Sequence, residues 1–429
     1  MGRGGPPYDV PVPERNHLID LARIGSMLIV VVFHALLWQV LLVDGQVRVV
    51  PLAPGPVFWA ISWVATIIPV FFVAAGYANA VVVDKWRAAG TSYASFLTLR
   101  GSRLLGPMSL FAILFTALGS AAAWAGWLPQ AAALSRQFAQ LLWFAVVYQL
   151  LLAAAPLAVW LHDRVGGWVM LPLLAGVITV DVAVRVTGDQ GLQWINLAFA
   201  WPLAHQWGIA YHRGWFRTCS AGRLVAVVVA SVLTIVALVG WLHYPPAAVA
   251  WADVLVANLL PPTLAIVVLG LIQTCVLGLL ERAGVAARLS ERAAAVVRLA
   301  NALLLTAYLW HIPAIVVAGG LLIGLTLLVP AAAPLLMNPV LLLVVVLAVV
   351  VLVVPWIARV ELLFIPRSGP GAPPQVLAVT GYALFAAGTW AVWQLGAVLH
   401  PGAPAAALAA LIFAAGVVAL HRATSRTSS

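Results

Sequence analysis

The sequence is short of charge. Asp, Glu, Lys and Arg make up 8% of its 429 residues while hydrophobic residues make up 64%, where a soluble domain carries about a quarter charged residues. Mean hydropathy is +1.07. Such a chain has too few polar groups to cover its surface in water, which excludes a soluble globular domain. A bilayer removes the requirement, because lipid tails solvate apolar side chains directly. Lysine is almost missing: Lys85 stands alone against 21 arginines. Cysteine is limited to Cys219, expected in a cytoplasmic loop, and Cys275, expected inside a span, which argues against a disulfide. Long loops are missing too. The largest, roughly 281–296, reads as a short amphipathic helix on the cytoplasmic face. Any chemistry must therefore take place within the helices or at their mouths.

What is present is apolar runs, each about the 20 residues a bilayer crossing requires. Twelve are read: 18–43, 57–83, 102–127, 137–161, 168–187, 192–211, 222–243, 252–280, 297–327, 336–361, 374–398 and 403–421. Breakers such as Asp44-Gly45, Pro54-Gly55-Pro56, Gly166-Gly167 and Pro245-Pro246 fall between runs. The first 17 residues, with Gly4-Gly5-Pro6-Pro7 and Pro11-Val12-Pro13, read as a disordered tail. The run behind them carries Asp20, Arg23 and His34, unlike the clean apolar stretch of a secretory signal.

The formal charge of +10 does not read as a nucleic-acid footprint, because the basic residues lie between the apolar runs. With both termini on the cytoplasmic side, 19 Lys and Arg fall inside and only Arg48, Arg136 and Arg185 fall outside. This asymmetry is the positive-inside rule, and one span more or fewer would destroy it. The expected fold is an all-α polytopic transmembrane helix bundle of about twelve helices in the inner or plasma membrane. A cytoplasmic tail covers 1–17, a helical core 18–363, two further helices 364–421, and a second tail 422–429.

Ionisable side chains at membrane depth are costly and mark functional sites. In the first span Asp20 and Arg23 lie three apart and share a helix face. Arg23 and His34 are eleven residues apart, about three turns and ~16 Å on one face. This places Arg23 at the cytoplasmic interface and His34 near mid-membrane. In the ninth span His311 lies ~20 Å from Arg298, a matching depth, so the two histidines are candidates to share one cavity. His205 sits about two turns in from the cytoplasm. Arg100 and Arg103, three apart and ahead of Pro107, read as one face of a helix start that suits a phosphate. Asp181 reads as an i, i+4 pair with Arg185. Against each stands a plainer account: snorkelling arginines, packing histidines and ordinary positive-inside charge.

Four motifs then occur in order. Asp20 with Arg23-x10-His34 resembles the first-helix signature of the acyltransferase-3 family of membrane-bound O-acyltransferases. Phe71-Phe72 followed by Gly76-Tyr77 resembles that family's second-helix motif, with Ala75 where many members have Ser. Arg100-x-x-Arg103 with Pro107 resembles its arginine pair, and Tyr308-Leu309-Trp310-His311-x-Pro313 its late aromatic-His-x-Pro segment. The resemblance spans roughly residues 15–315 and implies a core of ten helices, leaving the last two as an addition. The lysine-poor composition is that of a GC-rich, actinobacterial-type source.

The resemblance implies an enzyme that moves an acyl group, most commonly acetyl, from cytoplasmic acyl-CoA to a hydroxyl of a cell-envelope carbohydrate, glycolipid or related acceptor. Arg100, Arg103 and Arg23 would hold the donor's phosphates, His34 would act as general base, and His311 would orient the acceptor or steady the oxyanion. No metal is implied. Asp20, Gly76, Tyr77, His205 and Tyr308 are further candidates. A proton-coupled transporter or a lipid or sugar flippase is the alternative. The spans show no repeat of two halves, and the loop from Asp84 to Gly90 lacks the Gly-rich Asp-Arg pattern of common twelve-helix transporters.

Overall fold

The computed structural model describes residues 16–43, 46–51, 55–250, 256–287, 289–367 and 371–425. Almost all of the tail expected over 1–17 lies outside these residues, as do Asp44-Gly45, Pro54, Arg288 and residues 426–429.

The chain opens with α1 (His17–Leu36), whose first turn is capped by Asn16. The Asn16 side-chain oxygen accepts from the N–H of Leu18 and Ile19 at 3.0 and 3.2 Å. An antiparallel hairpin follows, β1 (Trp38–Val43) and β2 (Gln46–Pro51), with Val43 opposite Gln46. The span expected over 18–43 is therefore shorter. The Val-rich sequence flanking Asp-Gly is a hairpin signal that outweighs its apolarity.

Next come α2 (Pro56–Ala65) and α3 (Ile68–Ala89), broken at Thr66–Ile67 because Pro69 starts a new helix. Ser92 caps α4 (Tyr93–Ala122), and a π-helical turn over Ala123–Trp127 leads to α5 (Leu128–Ala139). Then follow α6 (Leu142–Val165), α7 (Met170–Thr187), α8 (Leu197–His212), the single turn α9 (Trp215–Thr218) and α10 (Ala221–Gly240). The chain ends with α11 (Leu264–Arg282), α12 (Glu291–Ala302), α13 (Leu304–Leu328), the short α14 (Ala333–Leu336), α15 (Pro339–Glu361), α16 (Gln375–Leu395) and α17 (Pro404–Ser425).

Among the described residues, ten stretches are long and apolar enough to cross a membrane. One of them, Leu142–Thr187, holds both α6 and α7, which meet at a 3-10 turn over Gly166–Val169. At 16 residues, α8 is shorter than a full crossing. Each of the twelve runs contains a helix, the first ending in β1, and the molecule is a polytopic helical bundle. Several boundaries move. The start of the eighth run, 252–255, lies outside the described residues, and its helix begins at Leu264, because Pro261-Pro262 cannot continue a helix. The amphipathic helix expected over 281–296 forms instead as α12, where Ser290 caps it. The ninth run then starts afresh at Leu304.

Contacts sort the connections into two ends. At one end Arg213 bridges Asp84 (2.6 Å) and Asp163 (2.8 Å), and Arg87 also reaches Asp163. His212 bonds Asp84, and Glu281 accepts from Tyr211 and from Asn16. At the other end Asp181 accepts four hydrogen bonds of 2.7–2.8 Å, from Gln193, Asn196, Tyr244 and the Leu264 N–H. There Trp63 donates to the Pro246 carbonyl, and Ser135 hydrogen-bonds Ala397. The first end collects the segments that the charge asymmetry assigns to the cytoplasm, the second those assigned outside. Asp181 thus does not pair with Arg185, which stacks over Tyr244 instead.

The bundle is held by close backbone approach as well as by side-chain burial. A Cβ on Gly76 would fall 1.9 Å from the His205 carbonyl oxygen, and one on Gly208 would fall 1.9 Å from that of Val73. Only glycine at both positions lets α3 and α8 touch. Phe72, Phe144 and Trp201 fill the space beside this contact.

Candidate functional site

Five walls, from α1, α3, α4, α6 and the α12–α13 junction, enclose a cavity of about 320 Å³. Arg23 comes from α1, Arg100 and Arg103 from α4, Tyr148 from α6, and Asn301 and Tyr308 from α12 and α13. Ala75, at the motif position where a hydroxyl was in question, lines it as well. Arg23 thus lines the same cavity as Arg100 and Arg103, which lie more than 75 residues further along the chain.

One detail of the arginines differs from the sequence reading. Because α4 begins at Tyr93, Arg100 lies seven residues inside it, roughly 10 Å along the axis. The amides of the helix start are not beside the arginines, and the guanidiniums alone provide the positive charge.

Among the described residues, Arg23, Arg100 and Arg103 make no hydrogen bond or ion pair. Their charges interact, Arg100 feeling both Arg103 and Arg23. Three guanidiniums on one cavity whose described lining residues include no carboxylate repel one another, a cost that an anionic ligand converts into affinity. The Asn301 side chain has neither its nitrogen nor its oxygen hydrogen-bonded, although both atoms are buried. Such a group on a cavity wall is suited to bonding a ligand.

His34 and His311 form a pair, with ring centroids 5.1 Å apart and an edge-on arrangement. His34 Nδ1 lies 2.8 Å from the Val30 carbonyl, and His311 Nδ1 lies 2.6 Å from that of Tyr308. A carbonyl only accepts, so Nδ1 carries the proton in both rings, and in the neutral tautomer Nε2 is a bare acceptor. His311 is wholly buried, and its Nε2 has no hydrogen-bond partner among the described residues. His34 stands in the last turn of α1, about 25 Å from the helix start, so it is nearer the far end of the bundle than its middle. Neither histidine lines the arginine cavity, but Tyr308 joins the two sites. It is a wall of the cavity, and its ring lies 5.8 Å from that of His311.

The remaining candidates are elsewhere. Gly76 is a helix-packing residue. His205 is buried, with Nε2 3.1 Å from the Asn79 amide nitrogen. Tyr77 stands edge-on to His212 at the ion-paired end. Asp20 is buried on α1, one turn from Arg23. Sequence reading passed over Asn301, Tyr148 and Glu361. Glu361 is 3% exposed and accepts from Thr306 at 2.6 Å. Only Glu361 had a readable signal, an acid at the end of a long apolar run. Asn301 and Tyr148 are common at span ends and within spans.

Residues 16–360 match the family model described as "Acyltransferase domain". No curated protein and no solved structure matches the chain.

Proposed function

Because the chain belongs to the acyltransferase-3 family, and is thus a membrane acyltransferase, we propose that it takes its acyl group from cytoplasmic acyl-CoA and delivers it to a hydroxyl of a cell-envelope carbohydrate or glycolipid. The observation that carries this reading is the cavity whose described lining residues include three guanidiniums and no carboxylate. Coenzyme A brings several phosphate charges on one molecule, and arginine binds phosphate with paired N–H donors. The ion-paired end of the bundle faces the cytoplasm in this reading, in line with the charge asymmetry.

The histidine pair supports a role in the transfer step. His34 Nε2, a bare acceptor, takes the proton of the acceptor hydroxyl as its oxygen attacks the thioester carbonyl. The tetrahedral intermediate collapses by breaking the C–S bond. The CoA thiolate leaves and recovers the proton from His34, so the ring ends neutral. His311, with Nδ1–H committed to the Tyr308 carbonyl, offers a second lone pair at Nε2. That lone pair can orient a hydroxyl. It cannot donate to an oxyanion, so of the two roles first entertained for His311 the orienting one fits.

Mass spectrometry of envelope glycans and lipids tests the reading. A strain lacking this protein should lose an acyl mass that the wild-type gene restores. An unchanged acylation profile counts against it.

A further inference from the structure

A second space lies between α4, α6 and α16, a groove of about 460 Å³. The helix α16 follows the acyltransferase core of residues 16–360, so the groove is this chain's own addition to that core. Its longest wall is one stripe of α16 from Val379 to Trp390, a length of ~16 Å, with Ala383, Ala386 and Ala387 making the trough between them. Tyr93 of α4 and Leu150 of α6 stand on the other walls.

The groove spans one leaflet and opens to lipid. The starts of α4 and α16 lie together, since Ala94 packs with Ala378. Arg87 of the ion-paired end shortly precedes Tyr93, so the Val379 end of the groove is the end that the charge asymmetry assigns to the cytoplasm. A hydrocarbon core is about 30 Å thick, so a groove of ~16 Å reaches from that interface to mid-membrane, as one leaflet's chains do. Leu150 and Trp390, 58% and 53% exposed, leave it open on the lipid side. Water does not suit the space. The Tyr93 hydroxyl donates to the Ala153 carbonyl and the Tyr382 hydroxyl to that of Gln149, each at 2.8 Å. Among the described residues this leaves the Trp390 indole N–H as the one uncommitted polar side chain of the lining, whereas a buried water needs two to four polar partners. A hydrocarbon chain needs none.

We propose that this groove is a phospholipid site, in which one acyl chain of a cytoplasmic-leaflet phospholipid lies along α16 and stays with the protein. A chain in the trough meets side chains from three helices, whereas a chain on an ordinary lipid-facing surface meets one side only, so its dispersion contacts hold it longer. Its floor is Tyr382, 3% exposed, whose ring lies against Gly101. The bound chain therefore packs on the outside of the wall that carries Arg100 and Arg103. The site is independent of which acyl donor the enzyme uses.

The test is lipid retention by the full chain in detergent, loaded with dioleoylphosphatidylglycerol, washed exhaustively, and read as phospholipid phosphorus per chain and by native mass spectrometry. Wild type should keep about one phospholipid per chain. Ala383→Trp and Ala387→Trp, which fill the groove, should each lower that count ~5-fold or more at matched melting temperature. Leu150→Trp fills the groove from α6 and serves if the α16 variants fail to fold. Leu352→Trp, at a 67% exposed position of α15 outside the groove, should keep the lipid. Wild type that keeps no phospholipid, or groove-filling variants that keep as much as wild type, overturn the proposal. A wild-type dimer that these variants turn monomeric overturns it as well, because the groove is then an interface between two copies of the chain.

Discussion

Arg100 and Arg103 illustrate what a single side chain contributes here. Neither has an acid or a carbonyl to bond among the described residues, yet both face a cavity inside the bundle. A charge-assisted hydrogen bond is worth about 1.5–3 kcal/mol, roughly 10- to 100-fold in affinity. Arg103→Ala should therefore weaken coenzyme A binding by at least ~10-fold, and Arg103→Lys should recover part of it. Isothermal titration of coenzyme A checks both, and equal affinity in wild type and Arg103→Ala would remove the arginine from the site. At this scale the sequence was informative where residue type is unusual for its surroundings. An arginine or histidine in an apolar run stands out. Asn301 and Tyr148 do not, because amides and phenols are ordinary in such runs, and only the fold shows that they face the same space.

At the scale of elements, the outer-end loops are organised around one carboxylate. Asp181 binds α7 to the 3-10 segment over Gln190–Asn196, to Tyr244 and to the first turn of α11. Asp181→Ala would leave the Tyr244 hydroxyl and the Leu264 N–H without this acceptor and the Gln193 and Asn196 amides with the Pro262 carbonyl alone, at about 1–3 kcal/mol for each donor that stays buried and unpaired. Its melting temperature in detergent should fall by several degrees relative to wild type, and Asp181→Asn, which keeps an acceptor oxygen, should fall less. An unaltered melting curve in Asp181→Ala would show that these bonds do not hold the outer loops. The sequence reading paired Asp181 with Arg185, since spacing along a helix is all that a sequence reveals about a partner. Element ends were misplaced for a related reason. Apolarity marks where a helix can cross, but Ser92, Ser290 and Pro261-Pro262 decide where it starts. The C-terminal pair α16–α17 is an example of an element whose purpose became visible only in place. The Tyr382 hydroxyl bonds the Gln149 carbonyl on α6, and its ring lies against Gly101, between the two arginines. The C-terminal helix pair thus backs the wall that carries Arg100 and Arg103.

For the molecule as a whole, composition alone established a membrane bundle, and the order of charges sorted its connections into two groups that the structure keeps at separate ends. The relation of the two sites was not legible. Eleven residues between Arg23 and His34 gave their separation along α1, but not that Arg23 lines a cavity that His34 does not, nor that α1 ends just past His34. In the proposed reaction the donor binds toward the cytoplasmic end and the proton moves further across, so that the reaction runs through the bundle. The measurement that tests this most directly uses inside-out membrane vesicles, which expose the cytoplasmic face, supplied with radiolabelled acetyl-CoA and carrying wild-type or His34→Ala protein at matched level and melting temperature. Loss of a general base costs ~10²–10⁴-fold in rate, so label should enter the envelope fraction with wild type and fall at least 100-fold with His34→Ala. Near-wild-type incorporation by His34→Ala would contradict the account.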